Sequence, residues 1–582
     1  MKTRKFATFA LMLVVGVSSL AGAATKDVVE IIPDNALGFL VIDNLAEADA
    51  KASKLGGKVG APPASPLAMF KMFNAGLQGF DDNGTAAAVI VPWNNSTVVD
   101  FLPVICLPVT DYDAFLKSVD AEEPIKKIAK VTFFGETSLC AKKGSFALVT
   151  APDGRGVLKA FLKSDKSVAD TIGDDAKSIA EQDAAVVFLQ PGIEKFFAVA
   201  QDGLNEVKQM LEGDPDGELA AQGIDIYVRL FEFMEAEVTQ TIVGVQLDDK
   251  GAVRVVKHVK FKPDGSIAPL LKKAKPNDVD LLAGLPADPF VMAIGAQTPG
   301  ELYEPLMDWS ADVMKAMPQL YGLKPDQIDA MMKDMTELTT SMGDTSFFLG
   351  VGKPGDGIYS NMSVTMKVDD AQKYITEYRK MMQQFAEQAD AESAVFGSMK
   401  AENVDLGDGV TGVKLVMDTS KFVGATGNDP AVAEMMKAMF GNDGNLAAHI
   451  VAVDKETLIT SYTSAETTLA LAKAVRAGKP GLSADSNVKK TISLLPDGSQ
   501  CVGLMSVDGT IAFINRILGL VPDVPAEVTI PEFPASPPIG FSMKVSPAGL
   551  QGDMVLPAEL IEQIGEYVKK IQQMQQIERE GI

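Results

Sequence analysis

The sequence has 582 residues, with 53 Lys and Arg against 77 Asp and Glu, and a formal net charge of -24 at pH 7. Domains usually contain roughly 100–200 residues, so a chain of this length is expected to form more than one. The excess of negative charge repels phosphate backbones and anionic headgroups, which disfavours binding to nucleic acid and to membrane surfaces. Solubility in an extracytoplasmic space is the more ordinary explanation of this acidity.

Residues 1–23 have the three parts of a cleavable secretory signal peptide. Lys2, Arg4 and Lys5 form a cationic end, an apolar stretch covers 6–17, and small residues precede the expected cleavage after Ala23. Cleavage removes those three cations and changes the formal net charge from -24 to -27. Position 23 is not cysteine, so no thiol is available there for a lipid anchor. No other segment approaches the ~20 apolar residues of a membrane span, so we expect a soluble exported protein, either periplasmic or secreted.

Only three cysteines are present, which excludes a disulfide-dense scaffold. Cys106 and Cys140 both lie in strand-like runs and would leave Cys501 over if they paired. The sequence leaves two alternatives open for them, a disulfide or two buried free thiols that pack as small apolar groups.

The order of predicted elements is similar in the two halves of the mature chain, although few residues are identical. Each half opens with an apolar strand around a proline turn, over 28–45 and 281–295, and then enters helical sequence, over 66–77 and 302–342. A hairpin follows, and its second strand leads into a helix that begins with acidic residues. Each half then continues with two strand-helix pairs and closes with a hairpin and a last helix.

Acidic residues open the helix that follows this hairpin in both halves, at Asp111 and Asp113 and at Asp369 and Asp370. A carboxylate in the first helical turn accepts hydrogen bonds from free backbone amides and opposes the helix dipole. These aspartates are therefore predicted to cap helices, and they need no catalytic explanation.

Alternating strand patterns and turn pairs such as Asn83-Gly84, Asp153-Gly154 and Asp408-Gly409 favour mainly antiparallel sheets. We therefore predict an α+β protein of two tandem similar modules, each a mainly antiparallel sheet with helices packed on one face.

The first predicted module spans residues 24–275 and the second spans 276–582, with an insertion in the second over about 383–444. The second module ends in an amphipathic helix, which either docks on that module or pairs with another chain. The apolar face of this helix is formed by Ile561, Ile564, Val568, Ile571 and Met574.

Gly350, Gly352 and Gly355 match the dinucleotide-binding pattern GxGxxG, which lets a pyrophosphate approach the amino end of a helix. The next segment, 359–368, has the pattern of a strand, so a hairpin turn is the better interpretation. A phosphate-binding loop is excluded because no Gly-Lys pair is followed by Ser or Thr.

Ser486 and Lys489 match SxxK, in which a lysine activates a serine nucleophile, but the companion SDN and KTG motifs are missing. The match is typical of the polar start of a short helix.

The histidines and acidic segments do not form a recognisable metal or catalytic motif. His258 and His449 lie far apart in strand-like sequence, with neither a serine elbow nor zinc-ligand spacing. Asp214, Asp216 and Glu218 resemble a calcium loop, but the glycine between them stands at the fourth position instead of the sixth. We therefore predict no catalytic, cofactor-binding or metal-binding residues.

Methionine is unusually frequent, with 27 residues. Pairs of methionines three residues apart fit three alternatives, which are a helical face packed on a sheet, an adaptable apolar groove, or a copper(I) site. Core packing is the favoured interpretation. These pairs are Met314 and Met317, Met332 and Met335, and Met436 and Met439.

The strand sequence Ile31-Ile32-Pro33-Asp34-Asn35-Ala36-Leu37-Gly38-Phe39-Leu40 after an export signal, with Gly79 to Gly84 before a later apolar strand, resembles a group of bacterial exported proteins of unknown function. The resemblance implies an envelope-facing protein with repeated α+β modules and assigns no catalytic residue.

We predict a non-enzymatic binding or interaction protein of the bacterial envelope, with an apolar ligand or an envelope protein as its partner. Two alternatives remain, a hydrolase with dispersed acidic catalytic residues and a cell-envelope scaffold that acts through the C-terminal helix. The sequence does not determine the oligomeric state.

The exported protein is expected to begin at or next to Ala24, because Ala21 and Ala23 provide the small residues that signal peptidases require. Amino-terminal sequencing of protein recovered outside the cytoplasm tests this expectation. An exported chain that still begins at Met1 would contradict it.

Overall fold

The computed structural model describes residues 24–60, 65–74, 76–93, 101–211, 218–297, 310–311, 314–315, 325–353, 357–388, 399–418, 439, 445–518 and 529–580. The predicted signal peptide and much of the predicted insertion over 383–444 lie outside these residues.

The described part of the chain contains sixteen α-helices and nineteen strands. The helices are α1 Ala24–Ile31, α2 Leu45–Lys58, α3 Pro66–Phe73, α4 Tyr112–Ser118, α5 Arg155–Lys163, α6 Ala169–Ile172, α7 Asp175–Ala180, α8 Gln190–Leu211, α9 Glu218–Glu237, α10 Ala268–Leu271, α11 Pro325–Thr340, α12 Ala371–Gln388, α13 Ala465–Arg476, α14 Ser486–Ile492, α15 Val507–Leu518 and α16 Ala558–Glu580. The strands are β1 Gly38–Ile42, β2 Ala86–Pro92, β3 Phe101–Pro108, β4 Ile128–Phe133, β5 Glu136–Lys143, β6 Phe146–Thr150, β7 Ala184–Leu189, β8 Val238–Leu247, β9 Val253–Phe261, β10 Phe290–Ala296, β11 Met342–Gly350, β12 Met362–Val368, β13 Met399–Asp405, β14 Thr411–Asp418, β15 Asn445–Ala452, β16 Thr457–Ser461, β17 Cys501–Met505, β18 Ile539–Ser546 and β19 Gly549–Leu556.

The chain divides into two compact units. Unit 1 comprises Met1–Asn205, Arg229–Ala268 and Ala548–Ile582, and unit 2 comprises Glu206–Val228 and Pro269–Pro547. The last strand and the last helix thus belong to the same unit as the beginning of the chain.

Both units are built on antiparallel strands, which confirms the predicted α+β class. In unit 1 the pairing order is β4–β5–β6–β3–β2–β1–β7–β8–β9–β19. In unit 2 the order is β13–β14–β15–β16–β12–β11–β10–β17–β18. Of the three predicted turn pairs, Asp408-Gly409 joins two neighbouring strands, β13 and β14, and both of its residues have positive φ angles.

Helices cover both faces of the unit 1 sheet, so the prediction that helices pack on one face is wrong. Phe39 and Val41 of β1 belong to a core with α1 and α5, whereas Leu40 and Ile42 belong to a separate core with α2 and α4. All five residues of β1 are buried. The physical reason is that this strand is apolar at consecutive positions, and a strand without a polar face must be covered on both sides.

The first predicted strand, over 28–45, is also wrong in its amino-terminal part. Val28, Val29 and Ile32 are buried together on one side of helix α1 and the turn after it, and the strand begins only at Gly38. Helix α2 was not predicted, because only two of its side chains, Leu45 and Ala48, are buried, which is too weak an apolar pattern to detect.

Helix α8 begins directly after β7 and packs closely against the residue that precedes β1. A Cβ atom added at Gly192 would lie 1.9 Å from the Leu37 carbonyl oxygen, an approach that only glycine permits. Gly203 of the same helix has no atom within 4 Å of the corresponding position. The two glycines therefore have different roles, one in packing and one without a structural requirement.

Gly192→Ala is expected to destabilise the protein by about 2–3 kcal/mol because the added methyl group meets backbone atoms. Gly203→Ala, the matched control, should raise stability by up to about 1 kcal/mol through helix propensity. Urea unfolding followed by circular dichroism measures both changes. Equal effects of the two substitutions would contradict the close packing at Gly192.

Candidate apolar binding site

Unit 1 contains an apolar cavity of about 60 Å³ between one face of its sheet and helices α2 and α3. Strands β1, β2 and β3 form the floor, and α3 forms the roof. Asp49 is the one charged residue of the lining. The lining comprises Leu40, Ile42, Leu45, Asp49, Pro66, Leu67, Phe70, Phe80, Ala86, Ala87, Ala88, Ile105 and Leu107.

The floor has room for a cavity because β2 contributes short side chains beneath the roof. Ala86 and Ala88 are buried in the same core as Leu40, Ile105 and Phe80. An apolar cavity of 150 Å³ is known to hold a benzene molecule. The volume seen here therefore admits a short aliphatic group and excludes a ring.

The roof helix α3 is short, and all of its residues except Lys71 are apolar. Its amino end is capped by Ser65, whose hydroxyl accepts a hydrogen bond from the Ala68 amide at 2.9 Å, and Pro66 occupies the first helical position. None of its residues is fully buried. On its outer side, Met69, Met72 and Phe73 are exposed, which is unusual for side chains of this size.

Aromatic contacts connect the roof to Phe80 of the lining and to Phe133 and Phe134 of the adjoining core. The ring centroid of Phe70 lies 5.7 Å from Phe80, 6.0 Å from Phe133 and 5.7 Å from Phe134. Edge-to-face contacts at such distances stabilise by roughly 0.5–1.5 kcal/mol each beyond the area that they bury. Phe70 is therefore the main apolar attachment of α3.

Polar contacts hold both ends of the roof helix. The Asp49 carboxylate accepts hydrogen bonds from the Ser65 hydroxyl at 2.6 Å and the Leu67 amide at 2.8 Å. At the other end, Lys71 forms an ion pair with Asp82, and both side chains are partly exposed. Such an exposed pair stabilises by about 0–1 kcal/mol. Asn74, which follows the helix, donates to the Phe70 carbonyl oxygen and accepts from the Phe134 amide, both at 2.8 Å, so local polar contacts fix α3 at both ends.

Cys106 and Cys140 are buried free thiols, which decides between the two alternatives that the sequence left open. Cys106 belongs to the core on one face of the sheet and Cys140 to the core on the other, so their sulfur atoms cannot meet. Burial raises the pKa of the Cys140 thiol to about 12 and raises the pKa of Cys106 further. Both thiols are therefore protonated and unreactive at neutral pH.

The two histidines lie in separate strands, as their sequence context indicated. His258 in β9 is 3.1 Å from the Ser178 hydroxyl. His449 in β15 is buried opposite Ser461 of β16. Burial lowers the pKa of His449, and the charge of Lys414 lowers it further.

The other sequence motifs occupy local structural positions. Ser486 and Lys489 are both exposed at the start of α14, whose amides at Asn487 and Val488 donate to the Asp485 carboxylate. A short 3₁₀ turn and then strand β12 follow the described glycines of the GxGxxG match, and Gly355 lies outside the described residues.

The predicted helix caps are confirmed at two aspartates. Asp111 accepts hydrogen bonds from the amides of Asp113 and Ala114, both at 3.0 Å, and Asp370 accepts one from Lys373 at 2.9 Å.

Met332 and Met335 lie in an apolar cluster of unit 2 together with Met314, Met331 and Met381, as expected for core packing. Met317 and Met436 lie outside the described residues, and so do Asp214 and Asp216.

Unit 2 contains an acidic cleft of about 440 Å³ between α11 and α12. Asp370, one of its carboxylates, caps α12, and Lys373 and Lys380 stand among the acids. The acidic residues of the lining are Asp334, Glu337, Asp369, Asp370 and Glu377. Within the described part of the chain, no group of three or more His, Cys, Asp or Glu side chains is arranged to hold a metal ion.

The last helix, α16, docks within its own chain on α2, which belongs to the first predicted module, so the expectation that it docks on the second module is wrong. Leu560 and Ile561 are buried in its first turns, and Glu562 pairs with Lys58 at the end of α2 at 2.7 Å. A Cβ atom at Gly565 would lie 2.1 Å from the Lys58 carbonyl oxygen, so the two helices are in close contact. Val568, further along, is exposed.

No protein-family model, curated protein or solved structure matches this chain. Among the helices of the described residues, none combines the length and the apolar character that crossing a membrane requires.

Acidification is expected to destabilise unit 2 through His449. Its folded-state pKa is lowered, so the unfolded chain takes up the proton first as pH falls below the ordinary histidine value of about 6.5. The contribution of His449 should therefore be fully present well above pH 6.5 and be lost as pH falls through 6.5 towards the lowered folded-state pKa. His449→Gln should make this decline shallower, as measured by urea unfolding at several pH values. Lys414→Gln, which removes the neighbouring cation, should have a smaller effect of the same sign, and an unchanged slope in His449→Gln would contradict the assignment.

Proposed function

We propose that this chain is an exported, non-enzymatic binding protein of the bacterial envelope, which holds the aliphatic part of an apolar ligand beneath helix α3. The observation that carries the proposal is the cavity of unit 1, whose lining is apolar except for Asp49. Ligand sites are typically apolar concavities with a few polar groups that fix orientation, and this cavity has that composition. The amino-terminal export signal and the acidic surface support an extracytoplasmic location.

Ligand entry requires displacement of α3. Ligand pockets usually enclose about 300–1,000 Å³, far more than the 60 Å³ present when the helix is seated. The helix has no fully buried residue and is held by the contacts of Asp49, Lys71 and Phe70. Apolar surface of a ligand would replace the contacts that Phe70 and Leu67 lose when the helix moves outward.

Asp49 restricts the charge of the ligand. Its carboxylate lies at the cavity beside the amino end of α3 and would repel an anionic headgroup. The proposed ligand class is therefore a neutral or cationic amphiphile with a straight aliphatic chain, and free fatty acids are disfavoured.

We also infer that the two predicted modules are copies of one structural unit. The strand orders support this, because β4–β5–β6–β3–β2–β1–β7–β8 corresponds to β14–β15–β16–β12–β11–β10–β17–β18 when β13 is treated as an addition. The helix after β3 and the helix after β12 are both capped by aspartate.

A pair of glycines gives independent support for the repeat. Gly192 follows β7, and its added Cβ would lie 1.9 Å from the carbonyl oxygen of Leu37, which precedes β1. Gly509 follows β17, and its added Cβ would lie 1.8 Å from the carbonyl oxygen of Phe290, which begins β10. The same steric requirement thus recurs at corresponding places.

Binding of 1-octanol to the full mature chain, followed by isothermal titration calorimetry, tests the proposed site. Ala88→Leu should weaken binding at least tenfold because the added methylene groups occupy the cavity. Octanoate, with the same chain length and a negative charge, should bind more weakly than octanol to the wild-type protein.

Ala185→Leu is the matched control. Ala185 is buried in β7 and belongs to the core on the opposite face, so Ala185→Leu overpacks a central strand without filling the cavity. Octanol binding that is lost equally in Ala88→Leu and Ala185→Leu, or that is undetectable in the wild-type protein, would refute the proposed site.

A further inference from the structure

Two aspartates lie opposite one another at one end of the unit 1 sheet. Asp43 directly follows β1 and Asp183 directly precedes β7, and the register of these strands pairs Ile42 with Ala184. The next residues in that register are the two aspartates, and the Asp43 amide donates to the Asp183 carbonyl oxygen at 3.4 Å. Both residues are only 1% exposed. Directly opposite residues share a face and have Cβ atoms about 4.5–5.5 Å apart, so these carboxyl groups, the aspartate pair, are buried side by side.

Hydrogen-bond donors reach both carboxyl groups. The Thr85 hydroxyl donates to the side chain of Asp43, and the Leu247 amide donates to the side chain of Asp183. Such donors stabilise a negative charge on the aspartate pair. A second negative charge is unfavourable there, because repulsion between buried like charges is weakly screened. Closely spaced carboxyl groups avoid this repulsion when one of them keeps its proton.

Lysines on the segments around the aspartate pair form ion pairs with other acids. These are Lys51 with Glu47 in α2, Lys71 of α3 with Asp82 ahead of β2, and Lys177 with Glu181 at the end of α7. After β8, the Asp248 carboxylate accepts from the Ala252 amide at 2.7 Å, and Lys54 donates to the Asp249 carbonyl oxygen. The acids of these segments raise the cost of a second negative charge on the aspartate pair.

Unit 2 has a neutral pair at the corresponding place. Under the proposed repeat, Gln297 after β10 and Gln500 before β17 are the counterparts of the two aspartates. The Gln297 amide donates to the Gln500 carbonyl oxygen at 2.7 Å, as in the aspartate pair. The side-chain oxygen of Gln500 accepts from the Val545 amide of β18 at 2.8 Å, which matches the contact of Asp183 with β8. A protonated aspartate supplies the same combination of donor and acceptor as this uncharged amide.

We propose that the aspartate pair shares one proton at neutral pH and is a pH-sensitive contact, which holds the end of β1 beside β7 until that proton is lost. Two carboxylates would repel each other and separate the strands at this end. Asp43 directly precedes Asn44, whose side chain accepts from the Glu47 amide at 3.3 Å and caps α2. Loss of the proton should therefore also displace the start of α2.

The start of α2 also contributes to the apolar cavity. Leu45 and Asp49 both belong to the cavity lining, so displacement of α2 would loosen the cover of the proposed ligand site. This consequence alone rests on the proposed function, and the shared proton is independent of it.

Proton linkage gives the sign of the pH dependence. At neutral pH the folded pair holds one proton that the unfolded chain releases, because an unfolded aspartate has an ordinary pKa of about 3.9. The contribution of this proton to stability is therefore fully present in acid below that value. It is lost as pH rises towards the point at which the folded pair ionises, and the unfolding equilibrium constant should rise up to tenfold per pH unit on the way.

Infrared spectroscopy of the full mature chain tests the shared proton directly, because a protonated carboxyl group has a C=O stretch that carboxylates lack. At pH 7 the wild-type protein should show this band more strongly than Asp43→Asn and Asp183→Asn, each of which leaves a single ionised aspartate. Equal bands in all three proteins would overturn the proposal.

Urea unfolding at several pH values tests the linkage. Asp183→Asn, which imitates the amide of Gln500, should lower the unfolding equilibrium constant at pH 7 and flatten its rise between pH 5 and pH 7. Asp553→Asn is the matched control, because the Asp553 side chain is fully buried but pairs with Arg254 at 2.6 Å. That substitution should raise the unfolding constant at pH 7, since it leaves a cation without its partner. Destabilisation of the same sign in both variants would contradict the shared proton.

Hydrogen exchange of the wild-type protein alone tests the displacement of α2. The amides of Asp43, Leu45 and Ala46 donate to carbonyl oxygens of neighbouring segments. Their protection, corrected for the intrinsic pH dependence of exchange, should fall as pH is raised from 6 to 9, whereas the protection of β3 should stay constant. Protection of the three amides that does not change with pH would refute the release of α2.

Discussion

The central strands of unit 1 have no polar face, and the arrangement of that unit depends on this constraint. Every residue of β1 is buried, and its neighbours β2 and β7 pair with it along its whole length. Helices must then cover both sides of the sheet, because exposed apolar area costs about 25 cal/mol per Å². Helix α3 covers the short side chains of β2 although none of its own residues is fully buried, and the proposed binding site lies beneath it.

Sequence reasoning predicted the features that depend on local pattern. The antiparallel α+β class followed from strand alternation and turn residues, and the roles of Asp111 and Asp370 followed from the needs of a helix amino end. Sequence reasoning failed for β1, where both faces are buried and apolar and polar residues do not alternate. It also failed for α2, a helix that buries only two side chains. Those outcomes are determined by partners distant in the sequence.

The candidate site could not be predicted for the same reason. Its lining unites Leu40, Phe70, Ala88 and Ile105, which have no shared motif and come together only through the order of the strands. One signal was available in the sequence, because seven of the eight residues of 66–73 are apolar, a pattern typical of a buried helix, yet no residue of this helix is fully buried.

The free state of Cys106 and Cys140 has a consequence for how such a protein would reach its destination. A fold that requires disulfides cannot form in the reducing cytoplasm. Such a protein folds only after it has reached an oxidising compartment. Here the two thiols lie in opposite cores, so the fold does not depend on a disulfide between them. An exported chain with this fold would therefore have to be translocated before it folds. The leader and any holding chaperone would have to act faster than a large antiparallel sheet with distant strand pairings can form.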